Sequence, residues 1–393
     1  MKYFFVLGTN TALSIAELNS VIDLSQANLI APDFLICEIN EIEAENLMKR
    51  LGGTIKIGRV LKDLPANNHK LLLEDIIRFA EEKQAKGAGG KFNFGFSSYG
   101  QGQFNKKDFG LRLKKNFSDK KISSRFVVSQ EKTLSSVVVA TNKMIKKGME
   151  IILADFNGQT IISETLAVQP FRDLSRRDYG RPARDDLSGM IPPKLAQIMI
   201  NLAEIKDSAD LVIDPFCGSG TILGELMLAG HKNIFGSDIS VKAIDDTKTN
   251  ISWMKELYSI KDVKMKFLVK NVLDLSLFIK NESVSAIITE PYLGPQRGLI
   301  NFEVIIKELE YLYSGAIKGF YKALNPGGRV VMVWPLFYGQ RPISPAYEGF
   351  EMLNMIPDNL SNSPFIKKSS RGTIVYGRPG QKVFREIIVL EKK

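Results

Sequence analysis

From Pro192 onwards the sequence alternates helical patterns with short apolar runs, and this alternation constrains the fold more than any other feature. Helical spacing of apolar residues is predicted over 194–202, 221–228 and 241–257. Strand-like runs are predicted at 211–213, 233–237, 266–269, 284–288 and 329–334. Parallel neighbours need a long crossover, usually a helix, so strands that alternate with helices predict a doubly wound α/β sheet with mostly parallel strands.

Residues 211–221 read Leu-Val-Ile-Asp-Pro-Phe-Cys-Gly-Ser-Gly-Thr and lead straight into a predicted helix. An apolar strand thus ends at Asp214, and a loop of small residues turns into a helix N-terminus. Gly218 and Gly220 let the backbone approach a ligand with no Cβ in the way. In open α/β sheets ligands sit at the carboxyl ends of the strands, where this loop must lie. The loop is not a phosphate cradle: it lacks the G-x-x-x-x-G-K-[ST] pattern, and Leu223 stands where a dinucleotide fingerprint needs a third glycine. A strand-end acid would repel a pyrophosphate but suits the ammonium of a methionine moiety. Phe216 and Thr221 flank the same loop. Roughly 20 residues further on, the second strand ends at Asp238, placed to accept hydrogen bonds from ribose hydroxyls, with Ile239 able to lie against an adenine face. After the third strand, Asn271 and Asp274 are both placed to read an adenine amino group. Asn271 is preferred because it is nearer the strand end, and Val272 follows it. Cys217 has no basic partner nearby in sequence and reads as a packing residue rather than a nucleophile.

Composition narrows the chemistry. The 393 residues suffice for two or three domains, and 44% hydrophobic content is enough for real cores. A net charge of +10 suggests an anionic partner. Only Cys37 and Cys217 are present, so no disulfide framework forms and a reducing cytoplasm fits. With His69 and His231 the only histidines, histidine-centred acid–base or metal chemistry is not expected. No run approaches the roughly 18–20 apolar residues of a membrane span, and Met1–Gly8 reads as a first strand rather than a signal peptide.

Two blocks precede the alternating region. Residues 1–65 predict a small βαβαβ module, open to a ferredoxin-like arrangement: strands at 3–8, 34–39 and 54–60, helices from Ser14 and over 43–51. Residues 66–170 predict a helix over 71–82, a strand at 92–97, a short basic helix at 111–117 and a strand at 125–129. A helix capped by Ser135 or Ser136 and running to Lys147 follows. Strands at 150–154 and 160–165 then flank the hairpin signal Asn157-Gly158. A charged connector, 171–190, leads into the domain at 191–393.

At this point the residues resemble a known family. The segment D-P-F-C-G-S-G-T at 214–221 is similar to the cofactor loop of class I amino-methyltransferases acting on DNA or RNA bases. The connector, S-R-R-D-Y-G-R-P at 175–182 and R-D-D-L-S-G-M-I-P-P-K-L-A at 184–196, resembles the entry to the catalytic domain of THUMP-containing tRNA guanine-N2 methyltransferases. The archaeal members of that family target guanosine at tRNA position 10. Residues 110–115 (G-L-R-L-K-K) and 134–139 (L-S-S-V-V-V) are similar to a THUMP domain. The resemblance covers nearly the whole chain and is weakest over the first 60 or so residues. It implies a Rossmann-like methyltransferase domain preceded by α+β ferredoxin-like and THUMP domains, S-adenosylmethionine as cofactor and tRNA as partner.

The family's catalytic signature is [D/N]-P-P-[Y/F] after the fourth strand, where this chain has Glu290-Pro291-Tyr292-Leu293. An aromatic amine is a poor nucleophile because its lone pair is delocalised into the ring. A side-chain acceptor and the adjoining carbonyl can hold both amino hydrogens and aim the lone pair at a methyl sulfonium. Glu290 and the Pro291 carbonyl are the candidates, with Tyr292 to stack on the base. A carboxylate also suits the adjacent N1–H and N2–H₂ donors of guanine. Two rival readings share these motifs: a DNA adenine-N6 methyltransferase, and a non-catalytic RNA-binding protein that retains the cofactor fold. In the second block Lys106, Lys107, Arg112, Lys114, Lys115, Lys120, Lys121 and Arg125 crowd one stretch, with Phe104, Phe109 and Phe117 interleaved. The rings are expected in the core and the cations on RNA phosphates, with Arg112, Lys114 and Lys115 foremost. Arg176, Arg177, Arg181 and Arg184 in the connector are expected to extend that track, Arg177 and Arg181 foremost, while some of them pair with Asp178, Asp185 and Asp186.

Overall fold

The computed structural model describes residues 1–66, 68–87, 90–184, 190–295, 301–378 and 380–393. The connector residues 185–189, including Asp185 and Asp186, lie outside the described residues. Two sheets organise the chain. The first contains β1 (Lys2–Leu7), β2 (Asn28–Ala31), β3 (Phe34–Glu38), β4 (Thr54–Pro65), β5 (Phe92–Gly100), β6 (Ser124–Val127), β7 (Gly148–Phe156) and β8 (Gln159–Val168). Their order is β2-β3-β1-β4-β8-β7-β5-β6, one continuous sheet of eight strands. Its first four strands pair antiparallel with a βαββαβ chain order. The sequence pattern omits β2, a four-residue strand too short to carry an alternation. β4 runs five residues past its expected end, so that its N-terminal half pairs with β1 while nearly all of it pairs with β8. The sheet therefore crosses position 65 without a break.

Turn chemistry explains the hairpin and a broken helix. Asn157 and Gly158 both take positive φ, as a tight two-residue turn between β7 and β8 requires. The helix expected to run to Lys147 is instead two pieces, Ser136–Thr141 and Met144–Lys147. Asn142 donates its side-chain amide to the Val138 carbonyl, and Lys143 enters the left-handed region. That local bond, after a β-branched Val137-Val138-Val139 run, competes with continuation of the helix.

The second sheet holds β9 (Leu211–Asp214), β10 (Asn233–Asp238), β11 (Lys264–Val269), β12 (Val284–Thr289), β13 (Leu324–Phe337), β14 (Arg341–Pro342), β15 (Phe350–Met352), β16 (Ile374–Tyr376) and β17 (Val383–Lys392). Its main order is β11-β10-β9-β12-β13-β17-β15, parallel from β11 to β13 and antiparallel from β13 to β15. Strand order reverses between β9 and β12, a topological switch point, so a crevice opens beyond their carboxyl ends. A 22-residue helix, Phe302–Ala323, links β12 to β13 and buries Leu309, Tyr313, Ala316, Ile317 and Phe320. Among the described residues no helix is long and apolar enough to cross a membrane.

The N-terminal module docks directly on the second half of the chain. Gly52 lies against the helix Pro193–Leu202: a Cβ there would sit 2.0 Å from the Lys194 carbonyl oxygen. Beside this contact the fully buried Glu17 accepts hydrogen bonds from Gly52 N at 2.8 Å, Gly53 N at 2.7 Å and Asn201 Nδ2 at 2.8 Å. One apolar core runs through both parts, from Phe5 and Leu13 to Leu195 and Met199.

Candidate active site

The loop after β9 is fixed by its own backbone and by two neighbouring strands. Asp214 is buried at the strand end, where its Oδ1 accepts from Thr289 Oγ1 at 2.7 Å and from Phe216 N at 3.1 Å. Burial pushes its carboxyl up to about 7, with the charges of Asp238 and Glu290 adding to the shift and the two hydrogen bonds opposing it. Gly218 takes φ +52° and Gly220 φ +84°, conformations that glycine adopts without strain. A Cβ on Gly218 would meet nothing within 4 Å, so the loop turns a bare backbone towards open space.

Asp238 closes the link to the next strand. Its Oδ2 accepts from Gly218 N at 3.0 Å and its Oδ1 from Ser240 N at 2.9 Å. Next to it Ile239 is 71% exposed, and Val269, the last residue of β11, and Leu273 beyond it are also exposed. An apolar surface thus borders the crevice with polar groups at its edge. Asn271 uses its side-chain oxygen to cap Leu273 N at 3.0 Å. Val272, the other candidate after the third strand, has its side chain buried in the core, which leaves its backbone to meet a ligand. The Thr221 hydroxyl is also already engaged, accepting from Arg181 Nη1 at 2.6 Å. Cys217 is buried, and burial raises its thiol well above the ordinary range, which fits a packing role.

Across the switch point, Glu290, Pro291 and Tyr292 follow β12. The carboxylate of Glu290 is gripped by Arg385, whose Nε donates to Oε1 and whose Nη2 lies 3.4 Å from Oε2. Both side chains are largely buried, at 15% exposure for Arg385 and 10% for Glu290. Burial works against the Arg385 cation, but the charge and hydrogen bond of Glu290, with Tyr376, together outweigh it and raise its pKa. Tyr292 is 60% exposed while Pro291 and Leu293 are buried, so of this segment the Tyr292 ring faces out. Tyr313, fully buried on the long helix, donates to the Tyr292 carbonyl at 2.9 Å and holds the segment.

Sequence reasoning missed Arg385, Tyr313 and the staple formed by Asn250. Asn250 donates to the carbonyls of Ala183 and Ser219 and accepts from Ala183 N, tying the connector to the loop. Only Thr289, adjacent to Glu290, was within reach of a local reading. Arg385 comes from β17, where it pairs opposite Pro335 of β13, and no local pattern links it to a residue 95 positions earlier.

The connector arginines require correction. Arg177 and Arg181, expected on RNA phosphates, are 5% and 7% exposed. Arg177 donates to both oxygens of Glu225, at 2.6 and 3.2 Å, and also pairs with Asp173. Arg181 donates to the Arg177 carbonyl and to Thr221. They brace the helix that follows the loop after β9, and their burial leaves little of either side chain to meet a phosphate. The basic helix Lys106–Asp119 does present cations: Phe109, Leu113 and Phe117 point inward, leaving Arg112, Lys114 and Lys115 exposed. Arg112 spends part of its charge on Asp108 at 2.9 Å. Lys120 is likewise paired, with Glu81.

Residues 181–336 match the UPF0020 family model, described as an RMKL-like methyltransferase domain. The match takes in the loop after β9, the end of β10 and the Glu290 segment. The chain is 28% identical over 235 residues to tRNA (guanine(10)-N2)-dimethyltransferase of Methanothermobacter thermautotrophicus, covering 58% of this chain and 63% of that protein. It is 28% identical over 197 residues to the protein of the same name from Methanocaldococcus jannaschii, covering 48% and 54%. The chain thus spans less than two thirds of the length of these curated relatives. Among solved structures, TrmN from Thermus thermophilus aligns over 100% of both chains with a TM-score of 0.55 and 17% identity, a likeness of fold.

Proposed function

We propose that the chain transfers a methyl group from S-adenosylmethionine to the exocyclic N2 of a guanosine in tRNA, at position 10, in the cytoplasm. The observation that carries this reading is the pairing of two strand ends across one switch point, the Asp214–Gly220 loop clasped to Asp238 and the Glu290-Pro291-Tyr292 segment. The domain match and the names of the two archaeal relatives support it. The N-terminal half is proposed as ferredoxin-like and THUMP modules that bring tRNA to the site. The antiparallel order β2-β3-β1-β4 supports the former, and the exposed cations on the helix Lys106–Asp119 support an RNA-facing role.

The residues present fit the cofactor. The open space over Gly218 admits its backbone, Asp214 offers a carboxylate for an ammonium, Asp238 suits ribose hydroxyls, and the exposed Ile239 suits a flat apolar ring. Asn271 stands at the edge of that surface. When bound, S-adenosylmethionine supplies a methyl group on a cationic sulfonium, open to attack by a nitrogen lone pair.

The chain's part is to prepare that nitrogen. Arg385 takes one lone pair from each Glu290 oxygen and holds the carboxylate in place; an ionised carboxylate has about four such sites, so acceptor capacity remains. Glu290 accepts one hydrogen of the amine and the Pro291 carbonyl the other, which turns the nitrogen lone pair out of the ring. The negative charge of Glu290 also stabilises the positive charge that builds on nitrogen. Tyr292, exposed and with its backbone fixed by Tyr313, stacks on the base.

The test combines purified protein, labelled S-adenosylmethionine and unmodified tRNA transcripts, followed by nucleoside analysis. N2-methylated guanosine from the wild type, reduced on the order of 100-fold or more in Glu290→Ala, is the expected result. Cofactor binding without transfer to any tRNA would overturn the substrate assignment and favour the non-catalytic RNA-binding reading.

A further inference from the structure

We propose that Arg385 is a specificity-determining residue that reads the target base: with Glu290 it presents an N–H donor beside a carboxylate acceptor, the complement of guanine O6 and N1–H. The inference rests on the reading of this site as a guanine-N2 methyltransferase and deepens it.

A guanidinium is planar and carries five N–H donors in a fixed fork. Arg385 meets Glu290 side-on, spending its Nε–H and one Nη2–H. Among the described residues, Nη1 and the second Nη2–H make no hydrogen bond. In such a side-on pair the outer Nη2–H and the outer lone pair of Oε2 leave the same end of the pair, splayed apart from one another. They set a donor beside an acceptor, 3.4 Å apart.

The carbonyl of Pro291, next in the chain to Glu290, is the second acceptor, assigned above to the amine. The resulting order of donor, acceptor, acceptor matches O6, N1–H and N2–H of guanine group for group. It also changes how Glu290 recognises guanine. With its inner lone pairs occupied by Arg385, Glu290 cannot take N1–H and N2–H on separate oxygens, so Oε2 accepts N1–H and one amine hydrogen together while the Pro291 carbonyl takes the other. The O6 contact then falls to Arg385. A base that keeps the 2-amino group but reverses the other two positions would set donor against donor and lone pair against lone pair, within a largely buried pair.

The test uses the full chain and two RNAs identical except at the nucleotide that the wild type methylates. One carries guanine there and the other 2,6-diaminopurine, which keeps the N2 amine but has an amine in place of O6 and a bare N1. The wild type is expected to favour guanine in kcat/KM on the order of 100-fold, the scale of one well-formed bidentate base contact. Arg385→Met, which fills similar space without donors, is expected to lower the rate on guanine and bring the ratio to within roughly 10-fold. Arg385→Lys keeps a cation beside Glu290 but loses the planar fork, so it is expected to fall between them; it also serves as the test if the methionine variant does not fold. Equilibrium binding of the same RNAs without methyl donor, followed by fluorescence anisotropy, is expected to move the same way. Equal losses on both RNAs, with the ratio unchanged in both variants, would overturn the proposal and leave Arg385 as a brace for Glu290. Failure of the wild type to methylate the guanine RNA is a different result, seen before any variant is made, and it removes the functional reading and this inference together.

Discussion

Asp214 stands apart from the other acids of the site because it is almost wholly buried, with no cation paired to it among the described residues. Its charged form is disfavoured by that burial, which lifts its carboxyl to about 7. A cationic ligand group reverses the balance, since the ammonium of the proposed cofactor favours the ionised acid. Binding should therefore release a proton where Asp214 is protonated in the free protein. The dissociation constant of S-adenosylmethionine is expected to weaken as pH falls below about 7, approaching tenfold per unit. Asp214→Asn should bind about tenfold more weakly at high pH and lose most of that dependence. Calorimetry across the neutral range checks this, and a wild-type affinity flat with pH would rule out the coupling. At this scale the sequence revealed residues that lie at strand ends, because the position of a residue after an apolar run fixes which end of the sheet it occupies. It did not reveal partners. Glu290 was legible as a candidate acceptor, but the cation that holds it arrives from the antiparallel strand at the far end of the chain. The Thr221 hydroxyl likewise looked free until the structure placed Arg181 against it.

At the scale of elements, periodicity separated two sets of cations that composition alone treats alike. Along the helix Lys106–Asp119 the apolar residues recur every four positions at Phe109, Leu113 and Phe117, which turns Lys114 and Lys115 outward. In the helix Phe171–Tyr179 the sequence looked like a charged linker, and no apolar stripe marked which arginine faced inward. Tertiary pairing with Glu225 decided it. The two sets should respond differently to substitution. Replacing Lys114 and Lys115 by alanine is expected to leave the melting temperature unchanged. It should weaken tRNA binding and reduce the slope of log affinity against log salt by about 0.7–0.9 for each lost phosphate contact. Arg177→Ala should instead strand Glu225 in the interior and destabilise the fold by roughly 3–5 kcal/mol. Salt titrations beside thermal melts distinguish the outcomes. An unchanged salt slope in the double lysine variant would remove this helix from the proposed RNA track. The broken helix at Asn142 and the short strand β2 escaped a sequence reading for a related reason: side-chain bonding and neighbouring strands set their limits, and periodicity registers neither.

For the whole molecule, the decisive contact is the one that seats the N-terminal module on the methyltransferase domain. Glu17 forms its polar centre: three N–H groups from Gly52, Gly53 and Asn201 converge on a side chain with no exposure to water. Burial pushes its carboxyl up to about 7 from the ordinary 4.5, although the three donors and Arg50 pull the other way. The folded protein therefore binds a proton at Glu17 that the unfolded chain has already released between those two values. Its contribution to stability is fully present below about 4.5 and is lost as pH rises through about 7, a span worth up to about 3 kcal/mol. Asp214 adds a dependence of the same sign, since its carboxyl is raised from 3.8 to about 7. Glu17→Gln removes the titration at this site but sets its amide hydrogens towards a backbone N–H, at a cost of about 1–3 kcal/mol. The melting temperature of the wild type should fall between about pH 5 and 8, and that of Glu17→Gln should start lower and fall less. Gly52→Ala offers an independent check on the same seat. Its added methyl meets the Lys194 backbone carbonyl, which cannot move without shifting a helix, so stability should drop at every pH while the slope stays as in the wild type. If Glu17→Gln keeps the full wild-type slope, Glu17 is ionised in the folded protein throughout, and its three donors outweigh its burial.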